Sequence, residues 1–295
     1  MIEVKDLSVS YSADFGSLPM VDMNEDKFPH VLDHLNLTIE PGKVYGLIGR
    51  NGAGKTTLLN CMCGMLENYI QKAKLKLFLD GRNMNPGNPD IISKFFFVPD
   101  TIPDIHVRVS KYAKTLSCLY PNFSMDCFDD CVELFQIKYN DYFDQLSLGQ
   151  KKMAFLSLAF AANTTYLIFD EPTNGLDITS RKVFRKLIAS NMTDDKAIVI
   201  STHHINEVSS LLDHVLILDQ KHIVFDHSVM ETGQALSFME SDDEDKAKDA
   251  LYSMPSAYGK RMILPNKNGT DSEIDYELLF EAVLENEKAI NAQFA

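Results

Sequence analysis

Gly49-Arg50-Asn51-Gly52-Ala53-Gly54-Lys55-Thr56 is the stretch that decides the fold. It fits G-x-x-x-x-G-K-[ST] at every fixed position. Residues 43–48 before it are almost continuously apolar, as in a strand covered on both faces. A helical stretch opens at Lys55. Strand, glycine-rich turn and helix in that order make a loop whose backbone N–H groups can curl around phosphate oxygens, with the positive end of the helix behind them. The glycines leave room that a Cβ would take. Lys55 is placed to reach the β- and γ-phosphates of a nucleotide, and Thr56 to ligate Mg²⁺. The plainer reading, a glycine-rich turn that matches by chance, has to explain both flanks as well as the motif.

Such a loop needs a carboxylate on the metal side, at the end of a buried strand. Tyr166-Leu167-Ile168-Phe169 followed by Asp170-Glu171 supplies it. Asp170 is placed to hold Mg²⁺, directly or through water, and Glu171 to polarise the attacking water. Taken alone, an apolar strand ending in acids is a common charged turn; paired with the glycine loop it becomes specific. Ser147 and Gln150 fit a capping box, so a helix with free N–H groups, itself an anion site, is expected to start there.

The segment around that cap, Leu146-Ser147-Leu148-Gly149-Gln150, lies 21 residues before Glu171 and closely resembles the LSGGQ signature of ABC ATPases. The chain is similar to the ATP-binding subunit of an ABC transporter, and the resemblance spans at least residues 1–225. It implies an α/β fold: a P-loop NTPase core of ABC-ATPase type with an antiparallel β subdomain and an α-helical subdomain at about 101–160. It implies ATP and Mg²⁺ as cofactors. Nucleotide contacts fall on Tyr11, as the ring against adenine, and on Gly49, Arg50, Asn51, Gly52, Ala53, Gly54, Lys55, Thr56 and Thr57. Ser147, Leu148, Gly149 and Gln150 would meet the ATP of an opposite subunit, and Asp177 in Asn174-Gly175-Leu176-Asp177 would cross between subunits. His203, 32 residues after Glu171, matches the switch histidine; His204 is its neighbour should the register slip. Glu171 and His203 are the catalytic pair, and Thr56 and Asp170 the metal pair.

Three departures stand out. Asp100, in Val98-Pro99-Asp100, occupies the place of a glutamine that touches metal and water in most members. It is a third candidate metal contact or, facing away, part of a contact to a membrane subunit. Leu148 replaces the second signature residue, usually Gly. Nineteen residues separate Tyr11 from Val31, an acidic insertion beside the adenine edge. The Ser-Leu-Gly signature, and the tail Asp275-Tyr276-Glu277-Leu278-Leu279-Phe280, resemble the branch that exports drugs, antimicrobial peptides and lipids.

Composition bounds the alternatives. The chain has 295 residues, 45% hydrophobic and 24% charged, in the range of a globular protein with room for one or two domains. Lys plus Arg is 28 against 42 Asp plus Glu, a net charge of −14, so a nucleic-acid partner is not expected. Five cysteines with loose spacing fit free thiols in a reducing compartment rather than a disulfide framework or a metal site. The charged start Ile2-Glu3-Val4-Lys5-Asp6 does not read as a signal peptide, and no run of about 18 apolar residues reads as a membrane span.

Organisation follows from periodicity. Strands are expected at 2–11, 31–40, 43–48, 74–79, 94–98, 166–169 and 197–200, with a hairpin at 215–225 turning on 219–221. Residues 104–165 read as helical, 226–295 as a C-terminal extension with a solvated charged stretch at 241–249, and 276–290 as a terminal amphipathic helix. The resemblance implies partners: integral membrane permease subunits and a second ABC ATPase subunit, as a homodimer or heterodimer. It also implies a cytoplasmic position, peripheral on the inner face of the cell membrane. A soluble ABC ATPase without a permease, such as a cluster-assembly ATPase, is the alternative.

Overall fold

The computed structural model describes residues 1–11, 30–65, 70–84, 88–267, 269 and 271–294, without the side chains of Tyr11 and residues 70–75. The acidic insertion, apart from His30, and the Tyr11 ring therefore lie outside the described residues.

The chain begins with β1 (Ile2–Tyr11), β2 (His30–Ile39) and β3 (Lys43–Ile48), followed by α1 (Lys55–Met62). Next come β4 (Ile70–Leu79), β5 (Arg82–Asn83), the short α2 (Pro89–Ile92) and β6 (Phe95–Val98). A helical arm of α3 (Val109–Ser117), α4 (Met125–Leu134) and α5 (Leu148–Ala162) precedes β7 (Tyr166–Asp170). Then follow α6 (Ile178–Asn191), β8 (Ala197–Thr202), β9 (His214–Asp219) and β10 (His222–Ser228). The extension holds α7 (Val229–Ala235), β11 (Leu236–Ser241), α8 (Glu244–Asp249), β12 (Tyr252–Ser256), β13 (Gly259–Pro265) and α9 (Tyr276–Asn291).

Six strands form the central sheet in the order β10-β9-β3-β8-β7-β6, parallel throughout except for the β9–β10 hairpin. That hairpin turns through Gln220 and Lys221, both at positive φ, the backbone that a tight two-residue turn requires. β7 and β8 are buried at every position, which is why they read as unbroken apolar runs. Their side chains alternate between two apolar clusters. Ile168 and Val199 point to the face covered by α1 and the four-stranded antiparallel sheet β2-β1-β4-β5. Leu167, Phe169, Ile198 and Ile200 point to the face covered by the arm, α6 and the extension. α5 is apolar nearly all round from Ala154 onward and runs buried through that second cluster.

The extension is a three-stranded antiparallel sheet, β11-β13-β12, with α9 packed on it. Leu236, Ile263, Leu279 and Val283 join the same apolar cluster as the central sheet. Burying one such side chain contributes roughly 1.5–3 kcal/mol. Polar ties add to the seam: Asn291 Nδ2 donates to Val224 O at 3.0 Å, and Phe294 stacks on His227 at 3.8 Å. The charged side chains of α8 are all exposed.

Register sets the site. Asp170 pairs with Ser201 across β7–β8, and Ile48 with Thr202 across β3–β8. The glycine loop, the two acids and the segment after β8 that carries His203 thus leave the sheet at the same carboxyl edge, where open α/β sheets bind ligands.

Candidate functional site

The loop after β3 is shaped by its glycines. A Cβ at Gly49 would lie 2.6 Å from Leu218 O, and one at Gly54, which has φ +106°, would lie 2.9 Å from Leu32 Cδ2. The backbone contact at Gly49 and the positive φ at Gly54 each disfavour a larger residue. Lys55 is 7% exposed and folds back over the loop, donating to Gly49 O at 2.7 Å and Arg50 O at 3.4 Å. The loop opens on a cavity of about 350 Å³ lined by Val31, residues Arg50 to Thr57 other than Ala53, Asp100, Asp170 and Glu171.

Thr56 Oγ1 donates to Asp170 Oδ2 at 2.6 Å, which brings together two oxygen donors of the kind Mg²⁺ takes. Two protein oxygens suit an ion that keeps most of its waters. Among the described residues no group of three or more His, Cys, Asp or Glu forms a denser metal cage. Asp170 is 2% exposed, and its other oxygen accepts from the Ser201 hydroxyl.

Glu171 stands at φ +45°, a strained left-handed conformation for a residue with a Cβ. Its N–H donates to both the O and the Oγ of Ser201 at 3.1 Å. Its carboxylate meets His203 twice: Nδ1 lies 2.8 Å from Oε1, and the His203 N–H donates to Oε2 at 3.3 Å. Lys55 Nζ is 3.7 Å from the same Oε1. The structure therefore brings Lys55, Thr56, Asp170, Glu171 and His203 into one cluster; His204 lies tilted at 45° against the His203 ring, with centroids 3.9 Å apart, rather than on Glu171.

The signature segment lies apart, on a second cavity of about 610 Å³ that it shares with Gly175, Asp177 and Ser180. The capping box forms as read: Gln150 N donates to Ser147 Oγ at 3.3 Å and Ser147 N to Gln150 Oε1 at 3.0 Å. The Leu-for-Gly departure has a physical explanation. Leu148 is 67% exposed, so its side chain meets solvent. At Gly149 an added Cβ would lie 2.8 Å from Gly175 O, so that position has no room. Asp177 caps α6 by accepting from Ser180 N at 2.7 Å, and that N–H holds its carboxyl below the usual carboxylate range.

Asp100 is half-exposed and turns its carboxylate toward the arm. Its Oδ1 lies 3.3 Å from Lys152 Nζ and accepts from Asn174 Nδ2 at 3.3 Å. Burial pulls the Lys152 ammonium below its ordinary range, and Asp100 opposes that pull. Sequence reasoning assigned no role to Lys152, Asn174 or Ser201. The available signal was Lys152 itself, a cation at the head of an apolar helical run.

A family model for ABC transporters matches residues 32–174. The chain is 29% identical over 220 residues to the bacitracin transport ATP-binding protein BcrA of Bacillus licheniformis, covering 72% of this chain and 70% of that one. It is 31% identical to the petrobactin import ATP-binding protein YclP of Bacillus subtilis, covering 66% and 79%. Its fold is similar to that of the dimeric ATP-binding cassette MJ0796 bound to ADP and Pi, with a TM-score of 0.64 at 21% identity, over 77% of this chain and 98% of that one. With its glycine loop, acidic strand end and capped signature helix on one α/β frame, the chain belongs to the family of ABC transporter ATP-binding subunits.

Proposed function

We propose that this chain binds ATP with Mg²⁺ in the glycine-loop cavity, hydrolyses it as one half of a cassette dimer, and drives export through separate permease subunits. The observation that carries the reading is the Lys55–Glu171–His203 cluster beside Thr56 and Asp170. Lys55 is preplaced above the loop to take the β- and γ-phosphates. Thr56 and Asp170 would hold Mg²⁺, which when bound neutralises phosphate charge. Glu171, held on two sides by His203, orients the attacking water and accepts its proton. His203 ties that carboxylate to the end of β8, so the switch segment and the base move together. Export is supported by the Ser147-Leu148-Gly149 form of the signature and by the likeness to a bacitracin transport protein. The relatives' transport roles favour a permease partner over a permease-free ATPase. A place on the inner face of the membrane follows from that partner, and no helix among the described residues is long and apolar enough to cross a membrane.

The test is Mg²⁺-dependent ATP turnover by the purified chain, lost in Lys55→Ala, together with co-purification from native membranes to identify the bound permease. Turnover by Lys55→Ala at the wild-type rate overturns the reading.

A further inference from the structure

Lys152 lies on the second turn of α5, in the helical arm, and is 3% exposed. Its Nζ donates to Asp100 O at 2.6 Å, Pro99 O at 3.3 Å and Glu171 O at 3.2 Å, and pairs with Asp100 Oδ1 at 3.3 Å. An ammonium has three N–H donors, so these acceptors use its full capacity. Asp100 in turn is held by Asn174, three residues beyond Glu171. One buried cation thus joins three segments: the exit of β6, the arm helix and the turn after β7. A buried ammonium is tolerated only where paired and hydrogen-bonded, so removing Asp100's charge weakens the whole joint.

What the joint holds is Glu171. That residue's left-handed backbone needs fixing from both sides. Ser201 grips its N–H from β8, and Lys152 grips its carbonyl from the arm. Glu171's carbonyl and the carboxylate that His203 orients branch from the same Cα, so a displacement of α5 is passed to that carboxylate.

We infer that the Lys152–Asp100 pair is a positioning device for Glu171, through which the placement of the helical arm sets the orientation of the catalytic carboxylate. Lys152 and Asp100 touch no reacting atom in this role; they act through the Glu171 peptide. The inference rests on the ATPase reading above. Wild-type turnover lost in Lys55→Ala establishes that reading separately, before any variant of the pair is compared.

The experiment measures kcat and KM for ATP, and nucleotide affinity with a fluorescent ATP analogue, in wild type, Asp100→Asn, Lys152→Gln and the double variant, each across a Mg²⁺ series. A misplaced base is expected to lower kcat on the order of 10-fold in each single variant, with KM and analogue affinity within about 2-fold of wild type. The double variant should fall no further than the lower single, because both changes break one joint. Asp100 is half-exposed, so Asp100→Asn decides the question if Lys152→Gln does not fold. Three results overturn the inference: kcat within about 2-fold of wild type in Asp100→Asn, a KM that rises in step with the loss, or an Asp100→Asn defect cured by excess Mg²⁺. The last assigns Asp100 to the metal instead.

Discussion

At residue scale, the signature separates two neighbours that its pattern treats alike. Leu148 projects into solvent, whereas Gly149 sits where its backbone nearly touches the Gly175 carbonyl. A methyl at 149 must push the start of α5 away from the turn that leads to Asp177. Gly149→Ala is therefore expected to lower the melting temperature and ATP turnover together, with overpacking of this kind costing about 1–3 kcal/mol. Leu148→Gly is expected to lower stability by no more than about 1 kcal/mol, through helix propensity on an exposed side chain, so its loss of melting temperature should be the smaller of the two. Thermal melts and steady-state ATPase rates on the two variants check this; equal effects would refute the steric account. The same contrast shows what single residues disclose. The glycine loop, Asp170-Glu171 and the Ser147 cap were legible because each is a local pattern of fixed spacing. The role of Lys152 was not, because its main partner, Asp100, lies 52 residues away and meets it only after β6 and α5 pack on β7. Nor was the strain at Glu171, which depends on Ser201 in a neighbouring strand.

At the scale of elements, strongly periodic segments were readable and weakly periodic ones were not. Buried parallel strands announce themselves through apolar runs; the expected strands at 43–48, 166–169 and 197–200 correspond to β3, β7 and β8 within two residues. The strands of the extension do not. β11 alternates poorly and keeps Met239 and Glu240 exposed, and β12 carries Pro255. Their order comes from packing against α9, a long-range contribution that local propensity does not carry. The same region hides a second capping box at the start of α7. Glu231 N donates to Ser228 Oγ at 3.1 Å, and Ser228 N donates to Glu231 Oε2 at 2.9 Å. Ser228→Ala is expected to cost about 1 kcal/mol of stability. The Ser228 hydroxyl and N–H hold the Glu231 carboxyl below its ordinary value of 4.5. A carboxyl with a lowered folded pKa stabilises above its unfolded pKa and loses that contribution as pH falls through the folded one. The stability gap between wild type and Ser228→Ala should therefore be full near neutrality and narrow below pH of about 4.5. Denaturant melts of both proteins from pH 7 to pH 4 measure it; a gap that widens on acidification contradicts the cap.

At the scale of the whole molecule, the two cavities carry complementary parts of one machine on separate surfaces. The glycine loop and the acids line one, with His203 paired to Glu171 behind it; Ser147, Gly149, Gln150 and Asp177 line the other. Beside the second stand Leu148 and Ile178, 67% and 75% exposed, apolar side chains at the first positions of α5 and α6. A second copy set head to tail would cover them and bring each signature helix to the other's nucleotide. Each copy carries a net charge of −14, so two approaching copies repel over a range that salt shortens from about 30 Å at 0.01 M to about 8 Å at 0.15 M. In Glu171→Gln, which keeps the glycine-loop cavity but removes the proposed base, ATP should produce a dimer that persists, and raising the salt toward physiological strength should favour it. Ile178→Asp should weaken the dimer by placing a charge in the covered patch, and the loss should be largest at low salt. Light scattering after size exclusion, with and without ATP at two salt concentrations, reads all three effects. A Glu171→Gln protein that stays monomeric at saturating ATP argues against the homodimer. A dimer that Ile178→Asp leaves unchanged moves the contact to another face.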